Sequence, residues 1–182
     1  MVSTSVSQEI PERWYAIYCK SRHDVQVRNR LKSKGIQTYL AEYRTRVRWG
    51  QRIRKVTRNL LPGYVLVRIQ LTPKNYLRVL QTQGVVRFID KPWPHVPWIP
   101  DEQVDSLRLL LNSNCPFEEV PYWDCGEEVE IIAGALKGLQ GKVVEFSKKK
   151  NIVVVSIDLL KRSVAVEINA ALLRRKKKIL VA

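Results

Sequence analysis

Residues 112–121 read Asn-Ser-Asn-Cys-Pro-Phe-Glu-Glu-Val-Pro, and this break constrains the fold more than any other feature of the chain. An apolar-periodic helix ends at Asn112, and the polar residues with Pro116 and Pro121 keep any long element from running through. A chain of 182 residues holds one medium domain or two small ones, and a break here selects two. Charge divides at the same place. Residues 1–115 carry 20 basic and 8 acidic side chains, a net of +12, whereas residues 116–182 carry 12 and 9, a net of +3. The expected organisation is a flexible tail at 1–12, a domain at 13–112, a linker at 113–121, a second domain at 122–175 and a basic and apolar tail at 176–182.

The first domain opens with an aromatic and β-branched strand, Trp14 to Cys19. A helix is expected from about His23 to Lys34, with Ser21 as cap and Asp24 in capping-box spacing. Val27 and Leu31 face its core side and Gly35 stops it. A strand follows at Ile36 to Leu40. Residues 43–58 alternate as two strands joined around Gly50-Gln51. Tyr64 to Leu71 is apolar nearly throughout, as a central strand is. Thr72-Pro73 is an N-cap with proline at N1, opening a short helix with Leu77 and Leu80 inward. Val85 to Asp90 is another strand. Lys91 to Pro100 holds four prolines and two tryptophans and is read as a loop. Asp101 and Glu102 then sit in the first turn of a helix whose apolar face is Val104, Leu107 and Leu111. The order predicts an α+β domain, helices packed on an antiparallel sheet.

Four of the eight glycines, Gly126, Gly134, Gly138 and Gly141, punctuate the second domain. Short strands are expected at Glu128 to Ile132, Gly141 to Phe146, Ile152 to Ile157 and Val164 to Ile168. Even spacing with glycine corners predicts a small all-β, SH3-like barrel. Its strands Ile152 to Ile157 and Val164 to Ile168 are strongly β-prone. The basic run from Arg174 to Lys178 reads as a frayed, solvated tail.

Residues 44–58 carry seven cations, Arg44, Arg46, Arg48, Arg52, Arg54, Lys55 and Arg58, and no acid. An apolar strand opened by Pro62-Gly63 lies directly behind. Such a ribbon either presents charge to a polyanion from a rigid base or is a solvated hairpin that aids solubility. The whole-chain charge of +15 favours an acidic partner. Arg46, Arg48, Arg52 and Arg54 are the candidate phosphate contacts by charge and placement. Trp49 either stacks on a base or packs along its hairpin. Tyr15, Tyr64 and Leu66 belong either to the core or to an exposed apolar docking patch.

Other functions find less support. Only His23 and His95 are present, and there is no Walker A lysine, GxGxxG, HExxH or paired CxxC, so no enzyme, cofactor or metal is expected. The three cysteines, Cys19, Cys115 and Cys125, form no disulfide framework by count, and Cys19 reads as a small buried residue. No apolar run approaches the roughly 20 residues that span a bilayer. The opening residues lack the pattern of an export signal, which makes a cytoplasmic location the expectation.

Four segments in order, WYAIYCKSRHDVQVRNRLKSKGI, LLPGYVLVRI, GVVRFI and GEEVEIIAGALKGLQGKVVEF, resemble the NusG family of transcription elongation factors. The first three resemble its N-terminal (NGN) domain and the fourth its KOW domain, and the likeness runs from about residue 13 to 175. It implies an N-terminal domain that docks on the clamp helices of RNA polymerase, at positions matching Leu61, Pro62, Tyr64, Leu66, Val104 and Leu107. It also implies contact with DNA at the transcription bubble, near Lys20, Arg22, Arg30 and Lys34. The KOW domain is implied to recruit Rho or a ribosomal protein through the turn holding Leu159, Leu160 and Arg162.

The likeness is greatest to the specialised RfaH- and UpxY-type antiterminators of polysaccharide operons. Two places depart from the family pattern. The turn Asp158-Leu159-Leu160-Lys161-Arg162 is longer than in housekeeping members, and Asn75-Tyr76-Leu77 stands where specialised members meet the polymerase gate loop. The expectation is a monomeric, nucleoid-associated bacterial factor that suppresses pausing or termination. The alternatives are a housekeeping factor acting with Rho and the ribosome, and a ribosome- or RNA-associated KOW protein.

Overall fold

The computed structural model describes residues 10–113, 115–122, 126–146 and 150–176. In chain order the elements are β1 (Glu12–Cys19), α1 (Asp24–Ser33), β2 (Gln37–Tyr39), β3 (Glu42–Trp49), β4 (Arg52–Asn59), β5 (Tyr64–Gln70), α2 (Pro73–Leu80), β6 (Val85–Phe88) and α3 (Asp101–Asn112). They continue with β7 (Phe117–Val120), β8 (Glu127–Ile131), β9 (Gln140–Phe146), β10 (Lys150–Ile157), β11 (Arg162–Asn169) and β12 (Leu173–Arg175). Two compact units result, one ending its first segment at Tyr39 and resuming over Gly63–Trp98, the other built from Leu40–Pro62 and the chain from Ile99 onward.

The first unit is a four-stranded antiparallel sheet in the order β2-β5-β1-β6. β5 and β1 hold the two inner places, and Val65, Leu66 and Val67 are buried in succession because both faces of β5 are covered. The pairs Tyr15↔Val67 and Ile17↔Val65 place Tyr15, Ile17, Val65 and Val67 on one face. Phe88, opposite Ile17, shares it, and its ring meets Tyr15 edge-on and stacks on Tyr76 of α2 at 4.8 Å. α1 buries Val27 and Leu31, each worth about 1.5–3 kcal/mol of removed apolar surface.

Two local expectations are corrected here. Ser21 does not cap α1. Arg22 takes a left-handed φ of 60°, His23 occupies the N-cap position without a side-chain bond, and the Asp24 carboxylate accepts from the Val25 N–H instead. α1 does end as expected, with Gly35 N–H donating to the Lys32 carbonyl and Ile36 N–H to that of Leu31, the paired bonds of a Schellman close. In α2 the Thr72 hydroxyl caps the Asn75 N–H at 3.2 Å with Pro73 behind it. That cap phases the helix so that Tyr76 and Val79 turn inward, while Leu77 is exposed and Leu80 only half-buried.

The second unit contains a free-standing ribbon, β3–β4, the helix α3, and a six-stranded antiparallel sheet in the order β12-β8-β9-β10-β11-β7. The sheet is the expected all-β domain, with Val129, Ile131, Leu139, Val143, Val153, Val155, Val164 and Val166 as its core. At Gly141 an added Cβ would lie 2.6 Å from the Val154 carbonyl oxygen, so only glycine allows β9 to press so closely on β10. Val154 is buried too, because α3 packs on β9 and β10. Two strands were not foreseen. β7 lies inside the segment read as linker and pairs Val120 to Phe117 with Ser163 to Val166. β12 holds Arg174 and Arg175, the start of the run read as a frayed tail, by pairing them with β8; residues 177 and 178 of that run lie outside the described residues.

Candidate nucleic-acid and docking surfaces

β3 and β4 pair from Glu42↔Asn59 to Trp49↔Arg52, closed by the two-residue turn Gly50-Gln51. Gly50 alone of the two has a positive φ, 61°, the pattern of a type II′ hairpin turn that matches strand twist. Directly opposed residues share a face. One face therefore carries Arg44, Arg46, Arg48, Ile53, Lys55 and Thr57, and the other Tyr43, Thr45, Val47, Trp49, Arg52, Arg54, Val56 and Arg58. Charge is thus distributed over both faces.

The ribbon is fixed only at its base. The Tyr43 hydroxyl donates to Glu119 at 2.6 Å, its ring packs edge-on against Phe117 at 5.2 Å, and Ala41 and Leu60 are buried. Burial, then the Glu119 carboxylate, pushes the Tyr43 hydroxyl above the usual tyrosine range. Beyond the base, Arg46, Arg48, Arg52, Arg54 and Lys55 are all exposed. Among the described residues none of them has a carboxylate within ion-pairing distance. Trp49 is 74% exposed, and the Arg54 guanidinium lies 5.8 Å from its ring centroid. Of the two readings open for Trp49, the geometry gives a ring laid along its own hairpin with most of its surface free.

The second basic group lies in the other unit and is partly committed to structure. Lys20 and Arg22 are exposed. Arg30, half-buried, donates to the Gln83 carbonyl at 2.7 Å. Lys34 donates to the Thr82 hydroxyl at 2.7 Å and to the Arg78 carbonyl at 3.2 Å, and Arg78 returns a bond to the Lys34 carbonyl. These two cations tie α1 to the turn after α2.

The six expected docking residues are unequally placed. Leu61, Leu66, Val104 and Leu107 are buried; Pro62 is exposed and Tyr64 half-buried. Sequence reasoning missed what lies beside Tyr64. Tyr18, opposite it across β1–β5, is exposed with its ring 5.6 Å away, and the Arg87 guanidinium sits over Tyr18 at 6.0 Å. Strand alternation puts Tyr18 on the face of Trp14 and Ala16, yet those two are buried, so alternation alone does not reveal the opening at the strand end.

In the barrel turn, Asp158–Leu160 form one helical turn closed by Lys161 in the left-handed region at φ 51°. Leu159 and Leu160 are half-buried and Arg162 is exposed. The Asp158 carboxylate accepts from Tyr122 Oη at 3.0 Å and from Gln103 Nε2 of α3 at 2.6 Å. One turn along α3, the Ser106 hydroxyl accepts from the Gln140 N–H at 2.9 Å. Cys19 is fully buried and its thiol is pushed up to about 12, chiefly by desolvation. Cys125 lies outside the described residues. Among the described residues no group of three or more His, Cys, Asp or Glu side chains is placed to hold a metal ion, and no helix is long and apolar enough to cross a membrane.

Residues 12–108 match the family described as Transcription termination factor nusG, and residues 125–156 match the KOW motif. The chain is 27% identical over 182 residues to the transcription termination/antitermination protein NusG of Staphylococcus carnosus, covering 90% of this chain and 96% of that protein. It is 29% identical over 179 residues to the NusG of Vibrio vulnificus, covering 90% and 95%. Among solved structures, one titled for the domain interaction in Thermotoga maritima NusG aligns over 93% of this chain and 99% of its own, at 20% identity and a TM-score of 0.46.

Proposed function

The chain belongs to the NusG family of transcription termination and antitermination proteins, and from that premise we propose that it acts on elongating RNA polymerase, suppressing pausing or termination. Residues 13–112 dock on the polymerase clamp, at the positions Leu61, Pro62, Tyr64, Leu66, Val104 and Leu107. The β3–β4 ribbon holds DNA of the transcription complex through Arg46, Arg48, Arg52 and Arg54, and Lys20 and Arg22 add charge from the first unit. The protein works as a monomer in the bacterial cytoplasm, at the nucleoid. The observation that carries the reading is the family match over residues 12–108, which contains the docking strand and the ribbon together.

The KOW domain, residues 122–175, offers the turn with Leu159, Leu160 and Arg162 to a second factor. The length of that turn and the net +12 of residues 1–115 favour a specialised, operon-specific factor over one that works mainly with Rho. The names of the curated relatives favour the second reading, a general factor with Rho or a ribosomal protein as partner. A purified polymerase transcribing a template with a defined pause and terminator tests the core claim. Shortened pauses or added read-through are expected, and unchanged pausing and termination on every template, including the leader of its own operon, would sink it. Capture of Rho by the intact chain would decide for the general factor.

A further inference from the structure

We infer that the β3–β4 ribbon enters the major groove of duplex DNA tip first, its two faces against the two phosphate walls. This rests on the reading that the ribbon contacts DNA, and it names the form of DNA and the mode of entry.

The ribbon carries charge on both faces. A ribbon that lies flat on a polyanion needs cations on one face only. Here Arg46, Arg48 and Lys55 stand on one face, Arg52 and Arg54 on the other, and all five are exposed and without a carboxylate partner among the described residues. Concentrating charge on both faces is costly in self-repulsion unless negative charge is met on both sides. A groove supplies that arrangement.

The dimensions agree. A two-stranded ribbon with side chains on both faces is about 10 Å thick. The major groove of B-form DNA is about 12 Å wide and 8.5 Å deep and admits such a ribbon. At about 3.4 Å per residue, that depth takes in two to three residues of each strand. The residues below the phosphates are then Arg48 and Trp49 on β3, with Arg52 and Ile53 on β4. Arg46 and Lys55 on one face and Arg54 on the other then fall at phosphate height.

The insertion accounts for two exposed apolar side chains that the fold does not use. Trp49 is 74% and Ile53 68% exposed, and they sit at the tip on opposite faces, each beside an arginine of its own face. The groove floor offers matching chemistry, with thymine methyls for apolar groups and guanine O6 and N7 for arginine. A-form RNA has a major groove too narrow for side chains to read, and a single strand needs a run of exposed aromatic platforms, where this ribbon exposes Trp49 while Tyr43 is packed at its base. Duplex DNA is the polyanion that fits.

The test uses the intact chain and three fluorescent nucleic acids of one sequence, a 30-base-pair DNA duplex, the same duplex with glucosylated hydroxymethylcytosines that fill the major groove, and the single strand. The expected result is binding to the plain duplex, at least tenfold weaker binding to the glucosylated one despite identical phosphates, and protection of guanine N7 from methylation. R46Q/K55Q and R54Q should each weaken binding and each lower the slope of log affinity against log salt by about 0.9 per lost phosphate contact. W49A/I53A should weaken duplex binding and reduce N7 protection with the salt slope unchanged. All of these side chains are exposed, and an unchanged melting temperature will show that the variants fold. Equal binding to plain and glucosylated duplexes would overturn groove entry while leaving the DNA contact intact. Binding to neither duplex would overturn the DNA contact itself.

Discussion

Gln103 and Asp158 exchange two hydrogen bonds. The side-chain amide of Gln103 donates to Asp158 Oδ2 at 2.6 Å, and the Asp158 backbone N–H donates to Gln103 Oε1 at 3.1 Å. One residue sits in the first turn of α3 and the other opens the turn between β10 and β11. Glutamine suits the place because its amide offers a donor and an acceptor on one rigid plane. Gln103→Ala should cost about 1–3 kcal/mol by leaving Asp158 short of a partner. Asp158→Ala should cost more, since Tyr122 also loses its acceptor. Hydrogen exchange should show α3 losing protection in both variants; equal protection in wild type and Gln103→Ala would remove the clasp from the account.

The docking surface makes a separable prediction. Tyr64→Ala should weaken polymerase capture with little change in melting temperature, because the residue is only half-buried. Leu61→Asp places a carboxylate where the side chain is fully buried, and desolvation of that charge should cost several kcal/mol. Loss of polymerase binding in Leu61→Asp alone therefore reports unfolding. Full binding by a folded Tyr64→Ala would remove the tyrosine from the interface.

Gly141 is expected to tolerate no side chain. Gly141→Ala drives a Cβ toward the Val154 carbonyl at 2.6 Å and the Val153 side chain at 2.8 Å. Separating β9 from β10 should cost about 1–3 kcal/mol, read by denaturant unfolding of the intact chain. Gly138→Ala provides the control for added bulk, since no atom lies within 4 Å of its Cβ position, though its positive φ adds a strain of its own.

Cys19 sets a pH dependence of defined sign. Its folded thiol is held up to about 12, so the folded state keeps a proton that the unfolded chain releases earlier. Stability from this group is complete below the ordinary thiol range and declines as pH rises from there toward 12. Cys19→Ala should flatten that decline. A thiol reagent at pH 8 should leave Cys19 unmodified until denaturant is added, and rapid labelling of the native chain would contradict its burial.

Much of the fold was legible because its signals are local. The alternation of 43–58 around Gly50-Gln51, the Thr72-Pro73 start of α2 and the apolar run of β5 each define an element from covalent neighbours alone. The order of four family segments was equally readable, and it reaches the family before any contact is known. Local signals also misled. Ser21 had capping spacing, but the left-handed Arg22 between it and α1 spoils the geometry. Leu77 is as apolar as Val79, and only the helix phase set by the cap turns one out and the other in.

What the sequence determined by itself was the inventory: two kinds of domain, their order, and a ribbon dense in arginine. Tertiary structure decided which of those residues are free to act. Arg30 and Lys34 look like Arg46 and Arg48 in sequence, yet the first pair is held by the carbonyls and hydroxyl of the turn after α2. Phe117–Val120 looked like linker until β11 offered it an edge. Tyr18 carried no signal of its own in the strand, and the fold leaves it exposed beside Tyr64. The physical reason is common to all three. Partnership and burial are set by groups distant along the chain, and a residue's own chemistry says what it can bind but not what already holds it.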